Sequence, residues 1–319
     1  MKSSESKLVV GVDLGATTVK TGIVSDSGSI LYQNKFPTFA QEGPSAVICQ
    51  IQQSIRDALQ QSNGSSVAGI GIGAPGVVDD DGVVKSPPNF VNWDEVPLRG
   101  EMAKLFGGLP IAIENDANAA AIAESRFGAG IQHPNFLFVI WGTGVGGGII
   151  LNHKIYRGAT GGAGEIGHVA IDYNGPQCNC GMRGCVEAYV GQRYLSQRTA
   201  ERLRTRPDSK IMELVGGDYS KIEPYFISKA AHDGDPLARE ILLEAGTLLG
   251  VALGAVMNVM DLRVSIIGGG LSAAGDFVIR AIEESVKAHV LRPLRKEVQV
   301  IPARLGNNAG ILGAAGLVL

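Results

Sequence analysis

The chain has 319 residues, of which 45% are hydrophobic and 18% charged, with 44 glycines and a formal net charge of −3. This composition is typical of a well-packed α/β enzyme of two lobes and excludes a disordered or fibrous chain. Because no basic stripe accompanies the slightly negative charge, we expect a small-molecule partner, with no nucleic acid and no membrane.

The first third of the chain predicts an antiparallel meander, a crossover helix and a parallel strand. Polar turn residues separate the β-rich runs, and apolar residues then recur at helical spacing. The predicted elements are strands over 7–13, 18–25 and 30–37, a helix over 44–61 and a strand within 67–79. After a loop over 83–98 come a short helix, a strand over 110–115 and a helix over 116–130.

The second half repeats this design, with a strand, a glycine turn and a returning strand within 135–156. The further predicted elements are helices within 186–206, 221–234, 235–260, 274–290 and from 308, with strands within 263–270 and 297–303. The apolar part of the third helix is too short to span a membrane and continues from a charged amphipathic segment. We therefore predict a buried helix packed tightly against a neighbour.

These elements predict an α/β fold with duplicated mixed sheets that are flanked by helices. The predicted boundary between two lobes lies near residues 114–116. We expect a small N-terminal lobe over 1–114, completed by a C-terminal helix at about 303–319, and a large lobe over 115–302.

Three cysteines and a histidine cluster in the run GHVAIDYNGPQCNCGMRGCVE. The apolar run near the N-terminus is too brief for a secretory leader, so we expect a cytoplasmic chain with reduced cysteines. Three buried thiols and a core histidine are one interpretation, but the spacing favours a closed tetrahedral zinc site of structural type. Its ligands would be His168, Cys178, Cys180 and Cys185.

Two glycine-rich turns are candidates for phosphate binding. DLGATT is a tight hairpin turn whose N–H groups can surround phosphate oxygens, with Thr17 and Thr18 as donors and Asp13 as a ligand of Mg²⁺. GTGVGGG has the spacing of a dinucleotide fingerprint, but a strand follows it instead of a helix, so it predicts a second hairpin of the same kind. Two such hairpins in two lobes predict an ATP site between them.

Asp116 begins a predicted helix directly after a buried strand and the amide Asn115. An Asp at this place is often only a helix N-cap. The positive end of the helix also keeps the carboxylate ionised, so Asp116 can accept a proton from a substrate hydroxyl. Glu165, His168 and Glu187 accompany the cysteine-rich loop and can bind the hydroxyls of a sugar, with the second ring nitrogen of His168 available to a sugar oxygen.

Together these motifs resemble the ROK family (repressors, open reading frames and sugar kinases), within the actin and hexokinase ATPase superfamily. The likeness spans almost the whole chain. GVDLGATTVK resembles the first phosphate motif, GTGVGGG the second, IIGGGLS the adenosine motif, ENDANAAAIAE the catalytic segment, and GGAGEIGH with CNCGMRGCVEAY the sugar and zinc signature. One departure is Ala16, where many members have glycine. The resemblance implies a two-lobed, ribonuclease H-like fold with the zinc loop in the second lobe.

By position, the resemblance implies that Asp116 is the catalytic base. The implied sugar ligands are Asn89, Asn115, Asp116, Glu165, His168 and Glu187, and His168 shares Zn²⁺ with the three cysteines. The residues implied near ATP and Mg²⁺ are Asp13, Gly15, Thr17, Thr18, Lys20, Thr143, Gly144, Gly269 and Gly270. The family likeness further implies a homo-oligomer, either a dimer or a tetramer.

The resemblance implies an ATP-dependent aldohexose kinase with glucose as its first candidate substrate and an N-acetylhexosamine as the alternative. A sugar-responsive repressor would need an N-terminal helix-turn-helix, yet only about six residues precede the first predicted strand. An actin-like filament or chaperone ATPase would not need acidic and histidine residues around a zinc loop. The choice between ATP and polyphosphate as donor stays open at this point.

Overall fold

The computed structural model describes residues 7–62 and 65–319. The prediction that no secretory leader precedes the first strand depends in part on residues 1–6, which lie outside the described residues. Internal contacts divide the chain into two compact units. The first unit comprises Met1–Pro134, Gly148–Gly164 and Leu305–Leu319, and the second comprises Asn135–Gly147 and Glu165–Arg304.

Strands and helices alternate along much of the described chain. The strands are β1 Leu8–Leu14, β2 Thr18–Ser25, β3 Ile30–Pro37, β4 Val67–Ala74, β5 Val77–Val78, β6 Val84–Lys85, β7 Glu95–Val96, β8 Ile111–Asn115, β9 Phe136–Trp141, β10 Val145–Leu151, β11 Lys154–Tyr156, β12 Val264–Gly268 and β13 Gln299–Pro302. The α-helices are α1 Pro44–Gln60, α2 Leu98–Leu105, α3 Asp116–Phe127, α4 Glu187–Val190, α5 Gln192–Leu203, α6 Lys210–Leu214, α7 Pro224–His232, α8 Pro236–Met260, α9 Asp276–His289 and α10 Ala309–Gly316.

The first unit contains a five-stranded mixed sheet in the order β3-β2-β1-β4-β8. β1 pairs antiparallel with β2 and parallel with β4, which pairs parallel with β8. The registers set Asp13 opposite Gly73, and Gly73 opposite Glu114. Because parallel strands end at the same edge, the residues that follow β1 and β8 share the edge at which α/β folds bind ligands.

The C-terminal helix α10 packs on β1, β4 and α3. A Cβ atom at Gly71 would lie 1.8 Å from the carbonyl oxygen of Ala314, and one at Gly313 would lie 1.8 Å from that of Ala119. Such close approach needs glycine at both positions. Residues 115–134 group by contacts with the first unit, in which α3 packs on α10. The lobes 1–114 and 115–302 stay a prediction.

The second five-stranded sheet has the order β11-β10-β9-β12-β13, and β10 begins in the second unit and ends in the first. β12 pairs parallel with both β9 and β13. Beside this sheet α8 packs closely on α9, since Cβ atoms at Gly250 and Gly254 would lie 2.5 Å from Cβ of Ser285 and 2.8 Å from Cβ of His289. Among the described residues one helix, α8, is long and apolar enough to cross a membrane, and 56% of its apolar window is buried. The prediction of a buried, tightly packed helix is confirmed.

Most predicted elements occur close to their predicted limits, and the predicted α/β class with mixed sheets flanked by helices is confirmed. Three local features differ from prediction, the first of which is the short helix α6, which was not predicted. The helix predicted over 186–206 is divided at Gly191, whose ψ of 151° is extended. The loop predicted over 83–98 contains β6 and β7, which form a small antiparallel sheet with β5.

Candidate active site

The first glycine turn joins β1 to β2 in the first unit. The Gly15 N–H donates to the Thr18 carbonyl over 3.0 Å, and the Thr38 hydroxyl donates to the Gly15 carbonyl over 2.6 Å. Asp13 lies opposite Lys20 in the strand pair, with 3.3 Å between its carboxylate and Nζ. The turn therefore carries a carboxylate and an ammonium side by side, a charge pattern that suits a metal-bound phosphate.

Ala16 occupies the turn position at which the family often has glycine. It is not one of the residues with positive φ in the described chain, so its methyl group causes no backbone strain. On the other side of Asp13, a Cβ atom at Gly310 would lie 2.5 Å from the carboxyl carbon. The beginning of α10 thus lies against the Asp13 carboxyl group.

β8 ends and α3 begins at Asn115 and Asp116. Asn115 is the helix N-cap, since its side-chain oxygen accepts from the N–H groups of Ala117 and Asn118 over 2.9 and 3.0 Å. Its side-chain amide donates to the Gly76 carbonyl over 2.9 Å. Asp116 is the first helical residue, is exposed, and accepts from the Ala117 N–H over 2.8 Å. The capping role therefore belongs to Asn115, and the Asp116 carboxylate lies at the positive end of α3.

Glu114, directly before this pair, is only 3% exposed. Its Oε2 lies 3.2 Å from Arg157 Nε, and its Oε1 accepts from the Asn115 N–H over 2.9 Å and from the Asn118 side chain over 3.1 Å. A buried carboxylate needs such a cation and such donors. This network was not predicted from the sequence, although an acid at the end of the apolar strand PIAIEN indicates that a partner is required.

The second glycine turn joins β9 to β10 in the second unit. Thr143 is exposed at the turn, and its carbonyl accepts from the Gln192 N–H over 3.1 Å. The Glu187 carboxylate accepts from the Val145 N–H over 2.8 Å, and a Cβ atom at Gly144 would lie 2.4 Å from the same oxygen. Glu187, predicted as a sugar ligand, thus supports the second turn as well.

Gly269 and Gly270 follow β12 and have different surroundings. Gly269 has φ 89°, and a Cβ atom there would lie 2.2 Å from the Trp141 carbonyl oxygen. At Gly270 the space within 4 Å of a Cβ atom is open. Packing therefore requires glycine at the first position, whereas the second position leaves room for a ligand.

The four predicted zinc ligands converge in the second unit, with their ligand atoms all within 4.8 Å of one another. Cys180 Sγ and Cys185 Sγ are 3.7 Å apart, and Cys178 Sγ is 3.8 Å from His168 Nδ1. A tetrahedral zinc ion with Zn–S bonds of about 2.3 Å separates two sulfurs by about 3.8 Å. The donor set and these distances fit a tetrahedral zinc ion.

The three thiols of this cluster differ in the direction of their pKa shifts. Burial raises the pKa of the Cys185 thiol to about 12 and also raises the pKa of Cys178. Burial opposes ionisation of Cys180 too, but the Met182 N–H and the neighbouring thiols hold its pKa below the usual value. Three neighbouring thiolates would need a cation, which a soft divalent metal supplies.

The predicted sugar ligands are distributed over both units. In the second unit, the Glu165 carboxylate lies 4.0 Å from His168 Nε2, the ring nitrogen other than the one near Cys178. Glu187 begins α4 two residues after Cys185. Asn115 and Asp116 belong to the first unit, as does Asn89, an exposed residue with φ 69° in the loop between β6 and β7.

Comparisons with known proteins cover nearly the whole chain. The ROK family model matches residues 9–319. A glucokinase of Streptomyces coelicolor is 38% identical over 317 residues, which is 97% of each chain. A glucokinase of Thermotoga maritima is 35% identical over 311 residues, 97% of this chain and 96% of its own. The crystal structure of a ROK family glucokinase from Streptomyces griseus in complex with glucose and AMPPNP matches with a TM-score of 0.84 and 36% identity, covering 98% of this chain and 99% of that chain.

Proposed function

The chain belongs to the ROK family and is a sugar kinase, and we propose that it transfers the γ-phosphoryl group of ATP to the 6-hydroxyl group of glucose. The full-length similarity to glucokinases, one of them solved with glucose and AMPPNP, supports this substrate pair. The observation that carries the proposal within this chain is the exposed Asp116 carboxylate at the positive end of α3.

Asp116 would act as the general base. As the 6-hydroxyl oxygen attacks the γ-phosphorus, the carboxylate accepts the hydroxyl proton, and ADP leaves with the electron pair of the broken P–O bond. This carboxylate lies in the first turn of α3, at the positive end of the helix dipole. The Asn115 cap and the buried pair of Glu114 and Arg157 hold the backbone that carries this base.

ATP and Mg²⁺ would bind at the glycine turns. Mg²⁺, when bound with ATP, neutralises charge on the phosphate oxygens, and Asp13 would hold it directly or through water. Backbone N–H groups, hydroxyls and one ammonium group would bind the rest of the nucleotide, at Gly15, Thr17, Thr18, Lys20, Thr143, Gly144, Gly269 and Gly270.

The sugar would be recognised by carboxylates, amides and His168. The residues proposed to bind ring hydroxyls are Asn89, Asn115, Glu165, His168 and Glu187. A missing or inverted hydroxyl would leave buried polar groups unpaired, so discrimination between stereoisomers should be steep. Zinc, held by His168 and the three cysteines, would supply rigidity to this loop and take no part in the reaction. A cytoplasmic location and a homo-oligomeric state stay predictions.

Substrate preference tests this proposal. We expect kcat/KM at saturating Mg·ATP to be highest for glucose, lower for mannose and glucosamine, and poor for fructose and galactose. A preference for N-acetylglucosamine or N-acetylmannosamine would contradict glucose as substrate while leaving the kinase reaction in place. Faster turnover with polyphosphate than with ATP would contradict ATP as the phosphoryl donor. No phosphorylation of any hexose would contradict both the substrate class and the residue roles proposed here.

A further inference from the structure

An open cavity of about 510 Å³ lies beside the first glycine turn, entirely within the first unit. Its lining includes Ala16, Thr17, Phe39, Gln41, Glu42 and Asn89. The cavity therefore extends from the turn proposed to bind phosphate to Asn89, which is proposed to bind the sugar. The sequence motifs assign no role to its one aromatic wall, Phe39.

Phe39 has a backbone conformation that its side chain does not favour. Its φ of 56° and ψ of 40° lie in the left-handed region, which bulky residues rarely occupy. Its side chain is also 43% exposed, so burial of the ring does not explain the position. Strained residues that present an apolar side chain to a cavity are concentrated at ligand sites.

Both neighbours of Phe39 hold it in this conformation. The Thr38 N–H donates to the Thr17 carbonyl over 3.0 Å, and its hydroxyl donates to the Gly15 carbonyl over 2.6 Å. On the other side, the Ala40 carbonyl accepts from the Val91 N–H over 3.0 Å. The backbone before and after Phe39 is therefore attached to the first turn and to the loop of Asn89.

The polar residues of the cavity are fixed in a similar way. The Gln41 side-chain amide donates to the Asn89 carbonyl over 3.0 Å, and the Glu42 N–H donates to the Phe39 carbonyl over 2.9 Å. The cavity thus combines one aromatic ring with a carboxylate and two amide side chains. A pyranose has an apolar C–H face and a rim of hydroxyls, which this combination matches.

We propose that Phe39 is a specificity-determining residue whose ring stacks on the apolar face of the hexose beside the first turn. This inference rests on the proposed hexose kinase function. The strained backbone positions the ring, and Glu42, Gln41 and Asn89 bind hydroxyls at the rim of the same subsite. A sugar with an axial hydroxyl on the stacked face would lose this contact.

Replacement of Phe39 by glycine separates recognition from folding. Glycine adopts the left-handed conformation without cost, so Phe39→Gly should leave the melting temperature unchanged or higher. Loss of the ring should raise the KM for glucose about tenfold, with kcat within about twofold and the KM for ATP unchanged. Phe39→Trp keeps an aromatic face and should keep the KM for glucose within about threefold. Tyr225→Ala removes an exposed ring from α7 and should leave every constant unchanged.

The outcomes distinguish this inference from the proposed function. If the wild-type chain phosphorylates glucose and Phe39→Gly leaves its KM unchanged, the inference is wrong and the kinase function stands. A lower melting temperature with an unchanged KM for glucose would show that Phe39 serves only in packing. A change in the KM for ATP alone would show that the ring contacts the nucleotide. Either result overturns the inference. A wild-type chain without activity on any hexose would overturn the proposed function itself.

Discussion

The two glycine turns have similar sequences but different supports. In the first unit, Asp13 pairs with Lys20 across the turn, and the Thr38 hydroxyl holds the Gly15 carbonyl. In the second unit, the Val145 N–H is held by the carboxylate of Glu187, which begins a helix directly behind the cysteine cluster. The first turn is therefore held by residues of its own unit, whereas the second turn shares a side chain with the loop that the metal would hold.

This difference suggests that the second turn couples nucleotide and sugar binding. Cys185 and Glu187 are two residues apart, and the Ala188 N–H donates to the Cys185 carbonyl over 2.9 Å. A change at the cluster would therefore displace Glu187 from the turn. Four experiments can break or sharpen the comparison.

Among the substitutions that test this comparison, the largest effect is expected from Cys180→Ala, which removes one proposed zinc ligand. Zinc content should fall well below one per chain, and kcat/KM for glucose should fall roughly 100-fold or more because Glu187 and His168 lose their fixed positions. Elemental analysis and steady-state kinetics measure the two effects, with Cys49→Ala at an exposed free cysteine as control. Stoichiometric zinc with full sugar affinity would contradict the coupling, and a loss confined to thermal stability would remove zinc from recognition.

Gly144→Ala compared with Gly15→Ala tests the two turns directly. A methyl group at Gly144 would lie 2.4 Å from the Glu187 carboxylate and displace it from the Val145 N–H, whereas one at Gly15 would lie 3.1 Å from the Thr18 carbonyl oxygen. Loss of a charged hydrogen bond is worth about 1.5–3 kcal/mol, so Gly144→Ala should raise the KM for both glucose and ATP roughly tenfold or more. Gly15→Ala should raise only the KM for ATP, by a few-fold. Equal effects on both constants in both variants would show that the turns are not supported differently.

Lys20→Ala tests the ion pair of the first turn. We expect the KM for Mg·ATP to rise by roughly three- to tenfold, because an ammonium group near the phosphates is lost. The free energy of unfolding should change by less than about 1 kcal/mol, since the pair is partly exposed. Lys35→Ala removes an exposed lysine directly opposite on β3 and serves as control. An equal rise in the KM for Mg·ATP in both variants would show that the effect comes from the overall positive charge and not from Lys20 in particular.

The smallest effect on activity is expected from Asp235→Asn, which lowers the stability of the fold without changing a residue of either turn. Burial would raise the pKa of Asp235, but the Ala238 N–H, the Ser209 hydroxyl and the Lys210 N–H hold it below the usual value. Its stabilising contribution is therefore complete above about pH 4 and is lost as the pH falls through the lowered pKa. The variant should unfold about 1–2 kcal/mol more easily at neutral pH and show a weaker dependence of stability on pH below about pH 4. Denaturant unfolding at several pH values measures this change in stability. The kcat for glucose should stay at the wild-type value; a lower kcat would show that global stability limits activity.

The sequence was sufficient to predict those features that depend on residues close together in the chain. The four proposed zinc ligands lie within a short run, and ligand type with spacing predicts their convergence. Turn chemistry likewise predicts both hairpins, because glycine, threonine and flanking β-rich runs act over a few residues. The opening strands β2 and β3 occur at their predicted limits for the same reason.

Long-range contacts could not be predicted in the same way. The bond from the Val145 N–H to Glu187 and the ion pair of Glu114 with Arg157 join distant segments that only the folded chain brings together. The grouping of α3 with the first unit depends on its packing against α10 at the other end of the chain. The left-handed backbone of Phe39 opposes its own side-chain preference, so tertiary contacts must impose it.

Turnover and glucose binding of Asp116→Asn test the central claim most directly. The substitution keeps the size and the oxygen that accepts from the Ala117 N–H but removes the proton acceptor. We expect kcat to fall by roughly 10²- to 10⁴-fold while the Kd for glucose, measured by calorimetry, changes much less. Asp208→Asn at an exposed loop carboxylate should behave as wild type. Turnover of Asp116→Asn within a few-fold of wild type would contradict the claim that Asp116 is the base.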